Sequence, residues 1–463
     1  MLIRRAQINF SSVVDIRISG GAITQIAECI EPVAGEQIVD AFGNAVIPGL
    51  HDHHMHFLAS AAARESVFCG PPQINDAEGL CAALREKAKT LTPDSWLRGV
   101  GYHESIAGEI DRYWLDQAVV DIPVRIQHRS GRLWILNSRA LRMLGNLDAS
   151  PLEKCNGEYT GRLYDGDVWL RQKIGRQLPD IRTASARLAR YGVTGFTDTS
   201  ANNSEESFAQ FSQWQASGEL LQRVVMMGDT SLIACKNVSR LQRGALKIHL
   251  HDNDLPEFDA MCDAIAESHA AARPVAVHCV TLVDLIFTLN AFETAGTIAG
   301  DRIEHASIAS PDIVEKIADL KLIVVTQPNF IAERGDAYLR DVDQSDQSWL
   351  YRLQGFRDAG IALAAGTDAP YGHLNPWPAM QAAVTRRTAA GATIGAAESL
   401  SPEQALELFL GDPLFPGSGK NYLEVGMPAT LCLLDRAWEH ARIDLSTMTV
   451  NKTLIDGAIV WSR

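Results

Sequence analysis

The stretch GNAVIPGLHDHHMHF, residues 43–57, decides how the rest of the chain is read. It opens on a turn at Gly43-Asn44, runs through a short apolar segment and ends in a burst of histidines. A strand buried on both faces is apolar along its length, so polar side chains gathered at its end face whatever lies beyond the sheet. Side chains two apart on a strand share a face. His54 and His56 can therefore grip one ion, with Asp52 on the same face to orient them. His51 and His53 satisfy the same parity on the opposite face, and spacing leaves both registers open.

The same texture recurs downstream in GVTGFTD, QRVVMMGD, GALKIHLH, RPVAVHCV, RIEHAS, LIVVTQP and IALAAGTD. Helical stretches such as EFDAMCDAIAESHAAA, TLVDLIFTLNAFETAG and SPDIVEKIADL lie between many of these runs. Eight strands alternating with helices predict an α/β chain with a (β/α)8 barrel, a fold that carries its chemistry where the strands end at the C-terminal face. Those positions hold Lys247 in the fourth strand, His278 in the fifth, His305 in the sixth and Asp368 after the eighth. Imidazoles with a carboxylate are the donor set of a divalent metal, zinc best of all.

Each residue also has a plainer reading. His278 and His305 taken singly read as hydrogen-bonded core histidines, and Asp368 as a helix N-cap. Lys247 is costly to bury as an ammonium unless it is paired. As a carbamate it would be negative and could bridge two metal ions. His249 and His251 share its strand face and are alternative ligands. The succession of these groups on consecutive strand ends favours a metal site.

Both ends of the chain are rich in strands. VVDIRISGGAITQIAEC alternates about Gly20-Gly21 as a hairpin, and GEQIVDAFGNAVIPGL repeats the pattern around Gly43-Asn44. GMPATLCLLDRA and MTVNKTLIDGAIVWSR follow suit, with a turn at Asp456-Gly457. Residues 1–48 and 416–463 are therefore expected to form one small β-domain around a barrel spanning 49–415. That span exceeds the ~250 residues of a plain barrel. The excess, at about 64–185, is read as an inserted lid and substrate-recognition region. Tyr102, His103 and Trp134 within it, and Asn329 and Phe330 further on, are candidate pocket residues, with core packing the alternative for the aromatics. Arg132 is a candidate partner for a substrate carboxylate, its alternative being a surface ion pair.

Lys and Arg total 42 against 56 Asp and Glu, a net charge of -14 that argues against nucleic acid and anionic membranes as partners. The eight cysteines form no CxxC pair and read as free thiols in a reducing compartment. The N-terminus reads as strand and turn, not as a signal peptide, and no apolar run reaches the roughly 18 residues of a membrane helix. These features predict a cytoplasmic protein acting on a small molecule, with homo-oligomerisation left open.

PGLHDHHMHF, VAVHCV, RIEHAS and AAGTDAP together resemble the amidohydrolase superfamily's motifs, in order and across essentially the whole chain. Within it, PVRIQHRSGRLWILNSRALRMLG, GEYTGRLYD, VVTQPNF and LEVGMPATLCLLD are similar to the N-substituted formamide deformylase-like branch. The resemblance selects His54 and His56 over His51 and His53. It implies a β-sandwich from both termini and one or two divalent ions, zinc by preference, with Lys247 as the carbamylated bridge if there are two. It also implies hydrolysis of a C–N bond in an amide, cyclic amide or N-substituted formamide, with Asp368 as base and acid and His305 assisting at the oxyanion. Deamination of a nitrogen heterocycle and lactone hydrolysis are the alternatives on the same site, and a non-catalytic scaffold is the remaining one. Three departures stand out. Arg132 replaces a His of the branch, His251-Asp252 stands where Asp-Gly follows the fourth strand, and GMPATL replaces a Gly-Lys-x-Ala-Asp segment.

Overall fold

A computed structural model describes the chain except for residues 72, 149, 176–177, 251–254 and 420–421. The described residues divide into two compact units, one comprising Met1–Phe57 and Ile181–Arg463, the other Leu58–Asp180.

In the first unit all eight apolar runs become parallel strands of one sheet. They are β1 (Leu50–Met55), β2 (Val193–Asp198), β3 (Arg223–Gly228), β4 (Leu241–His249), β5 (Val275–Cys279), β6 (Arg302–His305), β7 (Ile323–Thr326) and β8 (Leu363–Ala365). Each pairs with its sequence neighbour from β1 through β8. The barrel closes just beyond β8, where the amide of Asp368 donates to the His54 carbonyl at 2.8 Å and that of His56 to the Ala369 carbonyl at 2.8 Å. Gly366 permits this approach, because a Cβ there would lie 2.4 Å from the His54 nitrogen.

Local sequence also fixes the helices. Leu282–Ala295 starts at a capping box in which Thr281 and Asp284 each satisfy the other's backbone amide. Pro311–Asp319 begins with proline at its first position, where a missing N–H costs nothing.

The chain ends build two four-stranded sheets. One holds Leu2–Ile8, Ser12–Ser19, Ala22–Ala27 and Ile38–Asp40; the other holds Val46–Pro48, Leu431–Leu434, Val450–Ile455 and Ala458–Ser462. They share a core that includes Ile16, Val39, Val46, Leu431 and Leu454, as two sheets of a sandwich do. The hairpins at Gly20-Gly21 and Asp456-Gly457 form as read. The one around Gly43-Asn44 does not. Ile38–Asp40 pairs with Leu2–Ile8, whereas Val46–Pro48 pairs with Leu431–Leu434. Val39 and Val46 both reach the shared core, so the turn carries the chain from one sheet to the other.

Leu58–Asp180 has its own six-stranded sheet, in the order Leu152–Cys155, Glu158–Tyr164, Leu133–Leu136, Val124–His128, Leu97–Tyr102 and Val67–Phe68. Helices Ala77–Ala88 and Ser138–Leu144 contribute Leu80, Leu84 and Leu141 to its two cores.

Candidate active site

The site is built where β1, β4, β5 and β6 end and where the chain leaves β8. His54 and His56 flank Asp368, with Nε2 to Oδ1 distances of 3.5 Å and 3.4 Å. These three residues form a compact donor set, their ligand atoms all within 4.8 Å of one another. The far nitrogen of each ring is anchored. His54 Nδ1 makes a short contact with Glu304, and His56 Nδ1 lies 3.1 Å from Ser200 Oγ. Anchoring Nδ1 on a carboxylate fixes the tautomer and turns the Nε2 lone pair toward an ion.

The other predicted residues adjoin this set. The His305 ring is 4.6 Å from that of His54 and 4.4 Å from that of His278. His278 stacks on His249 at 4.1 Å. Gln327 Oε1 accepts from His305 Nδ1 at 2.6 Å, which leaves the buried Nε2 with its lone pair and no partner among the described residues. Burial lowers the His305 imidazole to about 3, so it is neutral at physiological pH. Lys247 is sealed from solvent, its Nζ 3.9 Å from Glu304 Oε1, and burial brings its ammonium down to about 8. His251 and Asp252 lie outside the described residues.

Glu304 is the residue that sequence reading missed. It is completely buried and serves three groups at once: Arg302 Nε at 2.5 Å, Lys247, and His54. Burial pushes its carboxyl up, but the Arg302, Lys247 and His54 charges outweigh burial and hold it well below the usual carboxylate range. The same contest holds Asp368 down through His54 and His56. Burial opposes charge on His54 as well, yet Glu304 raises its pKa. The pocket therefore stabilises positive charge between the imidazoles and Asp368. The signal available in RIEH was Arg302 and Glu304 two apart in an otherwise buried strand.

The competing pair is used elsewhere. His51 Nε2 meets Thr197 Oγ1 at 3.0 Å, and His53 Nε2 meets the Leu410 carbonyl at 3.1 Å. Asp52 accepts from Thr367 Oγ1 at 2.5 Å and from the amides of Thr367 and His54, so it steadies the backbone beside Asp368. Strain collects here too. His305 and Asp368 have φ of 71° and 54°, a left-handed region that costs non-glycine residues energy and recurs at functional sites.

Asn329 donates to the Thr367 carbonyl at 3.1 Å, and Phe330 packs on Tyr351. The remaining candidates belong to the second unit. Tyr102 donates to the Gly108 carbonyl at 2.6 Å, and Trp134 Nε1 donates to Asp167 at 2.9 Å, both rings buried. His103 bonds Ser105 at its Nδ1 and lies 3.7 Å from Glu104, and His128 sits 3.2 Å from the same carboxylate. Arg132 is exposed and makes a two-pronged pair with Asp165, at 2.8 Å and 2.6 Å.

Residues 37–461 match the amidohydrolase family. The chain belongs to the amidohydrolase family. It is 24% identical to the N-substituted formamide deformylase of Arthrobacter pascens, over 97% of this chain and 95% of that one. The placement beside the formamide deformylases expected from the motifs is thus met, and this amidohydrolase acts on carbon–nitrogen bonds other than peptide bonds. Among solved structures it is similar to an uncharacterised metal-dependent hydrolase from Pyrococcus furiosus. That match has a TM-score of 0.72 and 22% identity, and covers 92% of this chain and 97% of that one. It is also similar to atrazine chlorohydrolase from Arthrobacter aurescens complexed with zinc, at TM-score 0.57 and 14% identity, over 100% and 95% of the two chains. These likenesses bear out the barrel and the accompanying β-domain.

Proposed function

We propose that this amidohydrolase hydrolyses a small amide, cyclic or N-substituted, with a divalent metal ion held by His54, His56 and Asp368. One observation carries the reading: Asp368 Oδ1 is buried without a hydrogen-bond donor among the described residues and faces two imidazole nitrogens at 3.4–3.5 Å. With Nδ1 of His54 committed to Glu304, its Nε2 faces an anionic oxygen, and either a proton or a metal cation must lie between them. A nitrogen-and-carboxylate donor set suits zinc. His305, neutral and with an unpartnered Nε2, fits as a further ligand, and its lone pair favours that role over donation to an oxyanion. His278 completes the set.

When bound, the ion would supply Lewis-acid chemistry, polarising the carbonyl and lowering the pKa of water toward neutrality. Asp368, ionised at neutral pH, accepts the proton of the attacking water and returns it to the leaving nitrogen. Glu304 keeps His54 in one tautomer and balances Lys247 and Arg302. We take Lys247 as an ammonium paired with Glu304, which gives the one-ion form of the site. A carbamylated Lys247 would instead bring two ions.

Within the second unit Arg132 would recognise a substrate carboxylate by exchanging Asp165 for it, with His103 as a further candidate, and in the first unit Asn329 is one. Tyr102, Trp134 and Phe330 pack into hydrophobic cores, the alternative reading of the aromatics. A KM increase in Arg132→Ala confined to carboxylate-bearing amides tests this role. The cytoplasmic setting is part of the same proposal and agrees with eight cysteines that are all free; no helix among the described residues is long and apolar enough to cross a membrane.

The test is a screen of N-substituted formamides, cyclic amides and lactones, with metal quantified in the same preparation. Amine plus acid as products and one equivalent of a zinc-like metal are expected, with Lys247 unmodified by peptide mass. Ammonia from a ring, or lactone opening alone, would replace the amide reading. A protein that binds no metal would remove the whole proposal.

A further inference from the structure

At the end of the barrel away from the histidines lies a cavity of about 220 Å³. It opens among the first residues of β4 and β6, the segment before β5 and the loop around Phe415. That is smaller than the ~300–1,000 Å³ of typical ligand pockets, so an occupant must be small. Its polar lining is cationic. Arg243, Arg273 and Arg302 all border it, and no carboxylate does among the described residues. In a chain with a net charge of -14, three guanidinium groups around one hole call for an explanation.

The arginines are not neutralised alike. Arg273 is 1% exposed, and its hydrogen bonds go to the backbone carbonyls of Gly228, Asp229, Gly244 and Ala245. Those dipoles orient the guanidinium without cancelling its charge. Arg243 donates to the Ile233 carbonyl at 2.6 Å, and neither it nor Arg273 forms an ion pair among the described residues. Arg302 is 2% exposed and pairs with Glu304, but its hydrogen bonds all leave from Nε and Nη2. Its Nη1 has no bond among the described residues, in a side chain that borders the cavity. Burial lowers Arg273 to about 10, still cationic at neutral pH. The Arg302 Nη1 donor is not sealed from solvent, and guanidinium groups bind carboxylate and phosphate oxygens most strongly. The remaining wall is apolar, with Met227, Pro274 and Phe415, the last 43% exposed.

We propose that this cavity binds a small organic anion, its carboxylate or phosphate group against Arg302 and Arg243 and its short apolar body against Met227, Pro274 and Phe415. The site is separate from the histidine cluster. Arg302 nevertheless belongs to both, since the Glu304 it pairs with also holds His54.

Calorimetric titration of the metal-loaded enzyme with benzoate and with inorganic phosphate separates the two head groups. Saturable binding of one or both is expected. It should weaken about tenfold in Arg243→Gln, as loss of a charged hydrogen bond implies, and also in Ala299→Trp, which narrows the rim. Binding that survives both substitutions, or no binding of either anion to the unaltered enzyme, overturns the proposal. Crystals soaked in 4-iodobenzoate give an answer without any variant. Anomalous density beside Arg302 supports the site, and density only beside Asp368, or none, refutes it.

Discussion

At the residue scale the site rests on two carboxylates with opposite duties. Asp368 faces the imidazoles of His54 and His56, and Glu304 stands behind that of His54. Asp368→Asn keeps an oxygen for a metal but loses the proton acceptor. Metal content should stay near the wild-type value while turnover falls by roughly 10²–10⁴, the span of general acid–base contributions; undiminished turnover would remove the base assignment. Glu304→Gln should act through stability and metal affinity together. It leaves Arg302 and Lys247 buried without their counter-charge, a loss of about 3–5 kcal/mol measurable by urea unfolding. It also loosens His54, for which a 10–100-fold fall in metal affinity is the usual scale. If unfolding is unchanged, the buried network is not what holds this part of the barrel.

At the scale of elements, the strands were legible and their ends only partly so. Runs such as VAVHC and IVVT are short, apolar and bounded by polar residues, so they could be nothing but buried strands in an alternating chain. Parity could not choose between His51/His53 and His54/His56, because three of the four are buried, His56 is only partly exposed, and what separates the pairs is what each ring meets. Glu304 escaped notice for a sharper reason. Neighbours on a strand should face opposite ways, yet Glu304 and His305 both contact His54. The φ of 71° at His305 breaks the pleat, and no periodicity reveals that. Closure against β8 was equally invisible, since it depends on the absence of a side chain at Gly366. Gly366→Ala places a Cβ 2.4–2.6 Å from His54 backbone atoms that cannot rotate away. Reduced metal stoichiometry and a lower Tm are expected; normal values in both would show that β1 can shift without consequence.

Over the whole molecule, acid sensitivity has a source outside the histidine cluster. Glu403 accepts from Trp438 Nε1 and Arg442 Nε, each at 2.8 Å. Burial pushes its carboxyl up, but these two donors prevail and bring it to about 2. A depressed carboxylate stabilises the fold above its ordinary value near 4.5, and that stabilisation is lost as pH falls toward 2. Glu403→Gln should therefore flatten the acid side of the stability profile between those limits while leaving the alkaline side alone. Unfolding midpoints measured across that range check it, and parallel profiles would place the sensitivity elsewhere.

The closure of the barrel also sets a timetable for synthesis. Asp52 and Thr367, whose side chains meet beside the site, lie 315 positions apart. At ~5–20 residues per second a ribosome needs roughly 15–60 s to travel between them. For much of that interval the histidine-rich first strand is made without Glu304 behind it, and for all of it without Asp368 across from it. A nascent chain can offer metal only loose, two-histidine purchase. With the proposed ligand set, loading waits for the last barrel strand, and metal supplied during translation should gain nothing over metal supplied after release.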